Sequence, residues 1–295
     1  VAKYSPSGNL IWAKSVGGPF SDGGQSVDVD SFGNVYFKGS LFGAIDFDPG
    51  SGTTKLTSNG ANDVFLAKWS TDGEFLWAKS FGGRQSESVE SLDVDASGNA
   101  YVAGSFLGTV DFDPGSGTTN LISAGDRDAY IAKFNASGEL VWAKRVGGSG
   151  HDNSSDVTVD SSGRVVIGGF FTGSVDFDPG AGTTTLSSGK GFLLQLNEAG
   201  VFVWARSVNA SIRGVALDGS GHALAVGGFS GTVDFDPGNG ATSLTAVGSG
   251  DVFVWKLDPS GQFVWARQLG GSDFETSTGI AVDSGGSVYT TGSFS

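Results

Sequence analysis

The sequence predicts an all-β fold: a five-bladed β-propeller of four-stranded antiparallel blades, in one domain spanning residues 1–295. Three observations predict it. A unit of about 60 to 65 residues recurs from Val1, Leu66, Ile131, Leu193 and Val254, which makes the repeat the first thing to interpret. Glycine is abundant at 50 residues while Pro is held to 7, and Val, Thr and Phe fill short runs between the glycines, the pattern of many strands joined by tight turns. Both ends of the chain carry half a unit.

Taken in order, Gln25 to Asp30 alternates and ends in a turn, and Asn34 to Phe42 follows as a second strand. The connection IDFDPGSGTTKLTSNGAND leads to a third strand around Val64 to Trp69, an STDG turn, and a fourth strand from Glu74 to Phe81. The gaps are too short for a crossover helix, so the strands meander antiparallel. Apolar residues fall in both alternation phases: Phe65 and Ala67 on one face, Leu66 and Trp69 available to the other. Both faces of the sheet therefore need cover, which neighbouring blades supply. The first 14 residues hold only third and fourth strands, and the chain stops at GSFS after a first and second strand. Pairing the N-terminal third and fourth strands with the C-terminal first and second would close the ring and remove the open sheet edges.

The runs DVFLAKWSTDGEFLWAKSFGG and VDASGNAYVAGSF resemble the bacterial SBBP-type β-propeller repeat, and the resemblance extends over essentially the whole chain. It implies a non-catalytic module of a secreted or cell-surface bacterial protein. The family is associated with seven blades, against five repeats here. The absence of Met and a start at Val1 suggest a piece of a larger protein.

Composition narrows the chemistry. With no Cys, disulfides, thiolate metal sites and Cys nucleophiles are excluded. A formal charge of -14 repels nucleic acid and anionic lipid, and no apolar run is long enough for a membrane-spanning helix. The expected state is a monomer that binds a protein or glycan on the face carrying the DFDPG loops.

Those loops hold the candidate metal ligands. Asp46 and Asp48, Asp111 and Asp113, Asp176 and Asp178, and Asp234 and Asp236 each place two carboxylates on one side of an extended segment, with Phe47, Phe112, Phe177 or Phe235 on the other. Asp63, Asp128 or Asp251 closes three of the four connections. Two readings stand. The carboxylates, with turn carbonyls and hydroxyls such as Thr53 or Thr118, could supply the oxygens calcium requires, or the aspartates could cap backbone amides and start Pro-Gly turns.

Trp12, Trp77, Trp142, Trp204 and Trp265 recur in the fourth strands, either as packing between blades or as platforms for sugars in a multivalent lectin of five-bladed, tachylectin-like architecture. The Lys or Arg two positions on, as in Lys14, Lys79 and Arg206, is expected to lay its stem over the ring. The aspartates of the DxxG turns, from Asp30 to Asp283, read as turn residues, and His151 and His222 as solvated loop residues. A glycoside hydrolase or lyase with a central site would need inward carboxylates, for which Asp28 and Asp93 are available. The stretch Ser187 to Gly214 departs most from the repeat, shortening two loops and introducing Lys190 and Arg213. It reads either as drift or as a ligand cleft.

Overall fold

The computed structural model describes every residue except 19–22, 188–189 and 295, so Ser188 and Gly189 of the divergent stretch lie outside the described residues. Its strands follow the repeat. The first half-copy gives β1 (Ala2–Tyr4) and β2 (Leu10–Ala13). The next copy gives β3 (Gly23–Val29), β4 (Val35–Leu41), β5 (Ala44–Asp46), β6 (Lys55–Thr57), β7 (Asp63–Trp69) and β8 (Phe75–Gly83). It is followed by β9 (Ser88–Val94), β10 (Ala100–Phe106), β11 (Thr109–Asp111), β12 (Asn120–Ile122), β13 (Asp128–Phe134) and β14 (Leu140–Val146). Then come β15 (Asn153–Val159), β16 (Val165–Phe170), β17 (Val175–Asp176), β18 (Thr185–Leu186), β19 (Gly191–Leu196) and β20 (Phe202–Val208). The last full copy holds β21 (Ser211–Leu217), β22 (Ala223–Phe229), β23 (Thr232–Asp234), β24 (Ser243–Thr245), β25 (Asp251–Leu257) and β26 (Phe263–Leu269), with β27 (Thr276–Val282) and β28 (Val288–Ser293) at the end.

Each full copy thus has six strands where the sequence pattern suggests four. The four long ones form the antiparallel meander, as in the order β21-β22-β25-β26. The two extra strands are short and lie in the DFDPG connection, which is itself a hairpin: Ile45 pairs with Leu56, Val110 with Leu121 and Val233 with Leu244. Alternation within this hairpin buries Ile45 and Phe47, while Asp46 between them stays accessible at the rim. Phe47, Phe112, Phe177 and Phe235 are all at most 1% exposed. Each buried ring contributes roughly 2 to 3 kcal/mol.

The chain divides into two compact units. One holds Val1–Val102, Phe106–Ile122 and Ala132–Ala143; in it Phe37, Phe47, Phe65 and Trp69 build a core under β4 and β7. The other holds Ala103–Ser105, Ser123–Ile131 and Lys144–Ser295, with a core of Leu193, Trp204, Phe229, Phe235, Phe253 and Trp255.

The closed five-bladed ring does not form. Among the described residues no sheet closes on itself: β1-β2 is a two-stranded sheet by itself, and so is β27-β28. The reason lies in the ladder available. β4 and β7 are joined by seven pairs, from Val35↔Trp69 to Leu41↔Asp63, whereas β1 offers three residues to any partner. At a net 0.5 to 1.5 kcal/mol per hydrogen bond, roughly, so short a ladder gains little against the cost of ordering it. Tyr4 in β1, Val27 and Val29 in β3, and Tyr289 in β28 are each more than half exposed.

Candidate functional site

Most polar positions singled out in the sequence are engaged by the chain's own backbone. Asp46 Oδ1 accepts the N–H groups of Asp48 (3.2 Å) and Thr54 (2.8 Å), and Asp48 Oδ1 accepts that of Gly50 (2.8 Å). The same set recurs at Asp111 and Asp113, at Asp176 and Asp178, and at Asp234 and Asp236. This is an Asx-type turn stapled at both ends. Asp63, Asp128 and Asp251 sit elsewhere, buried at the starts of β7, β13 and β25 against Gly82, Gly147 and Gly270. Each accepts one loop amide through Oδ2, from Asn59, Ala124 and Val247 respectively, while Oδ1 has no hydrogen-bond partner. Burial pushes the Asp63 carboxyl above its ordinary range, opposed in part by the Asn59 amide. No group of three or more His, Cys, Asp or Glu able to hold a metal ion is present among the described residues.

Three of the repeated tryptophans dock on the following copy. Trp12, Trp77 and Trp204 donate their indole N–H to Thr71, Ala136 and Pro259 in the third-to-fourth-strand turn of the following copy. Gly73, Gly138 and Gly261 of those turns lie against the ring faces. Arg206 and Arg267 stand over Trp204 and Trp265 at 6.0 and 5.8 Å, as the two-residue spacing predicts. Asp28 is likewise occupied, accepting the amides of Val29 and Val94 at 2.7 Å each. His222 is not simply solvated: its Nδ1 lies 3.1 Å from Asp218, which also pairs with Lys256 at 2.8 Å. His151 stacks on Phe170 and approaches Asp126 at 3.4 Å.

In the second unit a cleft departs from this economy. This cleft, of about 320 Å³, lies where the chain leaves β20 and β22 and enters β19, β25 and β27. Its walls include Lys190, Ser211, Arg213, Ser230, Phe274 and Glu275. It adjoins the DFDPG connection, since Phe229 and Ser230 precede that hairpin and Ser249 and Gly250 follow it. The two cations that the divergent stretch introduces, Lys190 and Arg213, are thus brought to one mouth.

The local backbone explains how. Across the second-to-third-strand ladder, Gly191 takes the place of Asp63 and Asp251: Phe170↔Gly191 corresponds to Leu41↔Asp63 and Phe229↔Asp251. A side chain at Gly191 would strike the carbonyl of Ala210, so the glycine is what allows β21 to enter so close. Ala210 in turn stands immediately before a first strand, where Glu87, Asp152 and Glu275 stand in other copies. Arg213 occupies the bulge of β21, the residue skipped between Ile212 and Gly214. Gln25, Ser155 and Thr278 fill the equivalent bulges. A bulge turns its extra side chain out of the ladder, and Arg213 is exposed there. Sequence spacing locates Arg213 but does not reveal the bulge, and it passes over Glu275 altogether.

Against known proteins, the family described as SBBP, Beta-propeller repeat, matches residues 264–293. Regulatory protein FlaEY of Caulobacter vibrioides is 28% identical over 182 residues, covering 59% of this chain and 18% of that protein. The uncharacterized WD repeat-containing protein L264 of Acanthamoeba polyphaga mimivirus is 23% identical over 362 residues, covering 100% of this chain and 26% of that protein. The chain therefore spans about a quarter or less of the length of these relatives. Among solved structures, a protein of unknown function from Bacteroides caccae aligns with a TM-score of 0.39 at 11% identity, covering 89% of this chain and 87% of the other. The Neurospora crassa Pan2 WD40 domain aligns at 0.32 and 9% identity, covering 90% and 84%.

Proposed function

We propose that the chain is a non-enzymatic binding module of a secreted or cell-surface bacterial protein: a repeated β scaffold that presents a ligand cleft beside the DFDPG hairpin of β23 and β24. The observation that carries this is the contrast between copies. Where the repeat is kept, carboxylates and indoles are tied to backbone groups. Where it is broken, at Gly191 and Ala210, a cleft opens with Lys190 and Arg213 on its walls. The SBBP match over residues 264–293 supports the repeated-scaffold part of this reading. Where calcium contributes, its place is at the paired carboxylates of the DFDPG turns, and melting with calcium and after chelation measures it.

The test is a ligand screen on glycan and peptide arrays with the wild-type chain and a Lys190→Asn, Arg213→Ser double variant. Binding that the variant loses supports the cleft. Binding that it retains moves the site to another surface.

A further inference from the structure

We infer that this cleft takes a saccharide carrying a carboxylate, a uronate unit, and this rests on the binding-module reading above. The charge of the site comes from coupled replacements. In the copies around Asp63, Asp128 and Asp251 the corresponding corner holds a buried acid at the start of the third strand, and a second acid, Glu87, Asp152 or Glu275, just before the following first strand. All six are at most 3% exposed. In the cleft copy both positions are stripped at once, to Gly191 and Ala210, and two cations, Lys190 and Arg213, line the opening. Lys190 stands where Asn62 and Arg127 stand elsewhere, directly before the third strand. Loss of one acid alone would be unremarkable drift. Loss of both acids, with two cations on the walls of the same opening, converts a corner of an otherwise acidic chain into an anion site.

Both cations are exposed, and neither side chain has a hydrogen bond or ion pair among the described residues. A guanidinium matches a carboxylate with two parallel N–H donors, and an ammonium adds a point charge. The rest of the wall suits a sugar ring better than an extended peptide. Ser211, Ser230, Ser249 and Thr276 supply hydroxyls that both donate and accept, as sugar hydroxyls do. The Phe274 ring lies over Gly250 and is 57% exposed, offering an apolar face to a pyranose. Glu275, 2% exposed, is the remaining acid on the wall, and its Oε2 has no hydrogen-bond partner among the described residues.

The probes are a galacturonate trimer, the corresponding neutral galactose trimer, and a glutamate hexapeptide, titrated calorimetrically into the wild-type chain, Arg213→Gln and Phe274→Ala. The galacturonate trimer is expected to bind in the millimolar range or tighter, and to weaken about tenfold in Arg213→Gln, the equivalent of one lost charge-assisted contact. It should also weaken in Phe274→Ala and with added salt. The neutral trimer should bind at least about tenfold more weakly, for the same lost contact. Equal binding of the charged and neutral trimers, or of the galacturonate trimer to wild type and Arg213→Gln, overturns the anionic assignment. If the hexapeptide binds in an Arg213-dependent way and the galacturonate trimer does not, the cleft stands and the saccharide falls. Probes that bind without regard to either substitution, or no binding by any probe, sink the cleft itself. Unchanged melting of the variants confirms that the fold is intact.

Discussion

The carboxylate of Asp156 accepts the backbone N–H of Val215 at 2.8 Å, joining the first strands of two successive copies, 59 residues apart. Asp28 does the same for Val94 at 2.7 Å in the other unit. Removing the side chain leaves a strand amide without its acceptor, so Asp156→Ala and Asp28→Ala should each cost about 1 to 3 kcal/mol, and the Asn variants less. Urea unfolding measures this. An alanine variant as stable as wild type would remove the aspartate clamp from the account of how copies stack.

Asp63 is buried, and its carboxyl is held above the ordinary range mainly by burial. A carboxyl that binds its proton more tightly when folded costs stability in its charged form at pH values above its folded pKa. That cost disappears as pH falls below the unfolded value of about 3.8. Asp63→Asn should therefore gain on wild type as pH rises from about 3 to about 7. Melting temperatures of the pair across that range check it, and a difference independent of pH would contradict it.

Asp218 behaves oppositely. Burial alone would raise it, but Lys256, the amides of His222 and Ser220, and the His222 ring together hold it well below the carboxylate range. Its contribution is then present above about pH 3.8 and is lost as pH falls toward the depressed folded value. Lys256→Met should cost about 2 kcal/mol at neutral pH, with the difference shrinking in acid, as followed by denaturant titration at both pH values.

Gly261 has φ +76 and would bring a methyl group within 2.7 Å of the Trp204 ring, whereas Gly231 has φ +66 and open space around it. Both alanine variants pay the left-handed backbone penalty of about 1 to 2 kcal/mol. Gly261→Ala should lose more, and should alter tryptophan fluorescence where Gly231→Ala does not. Equal losses would show that the turn's contact with Trp204 contributes nothing to stability.

The repeat made the four long strands of each copy legible, along with the burial of Phe47 and its equivalents, because alternation and turn spacing are local properties. It also placed Arg206 over Trp204, since side chains two apart on a strand share a face. The DFDPG hairpin was hidden because β5 and β6 have only three residues each, too few to show a period. The bulge at Arg213 was hidden because an extra residue is defined by the partner strand, β22, and not by its own sequence.

The amino-acid sequence by itself determined the all-β class, the copy number of the repeat and the location of the one copy that breaks it, all of which follow from short-range pattern. Tertiary structure alone decided that the two end sheets stay separate, since pairing depends on ladder length and approach across the whole chain. It alone decided, too, that Lys190, Arg213 and Glu275 share one cleft. Those residues are far apart along the chain, and only the return of successive strands to the same end of the sheets brings them together.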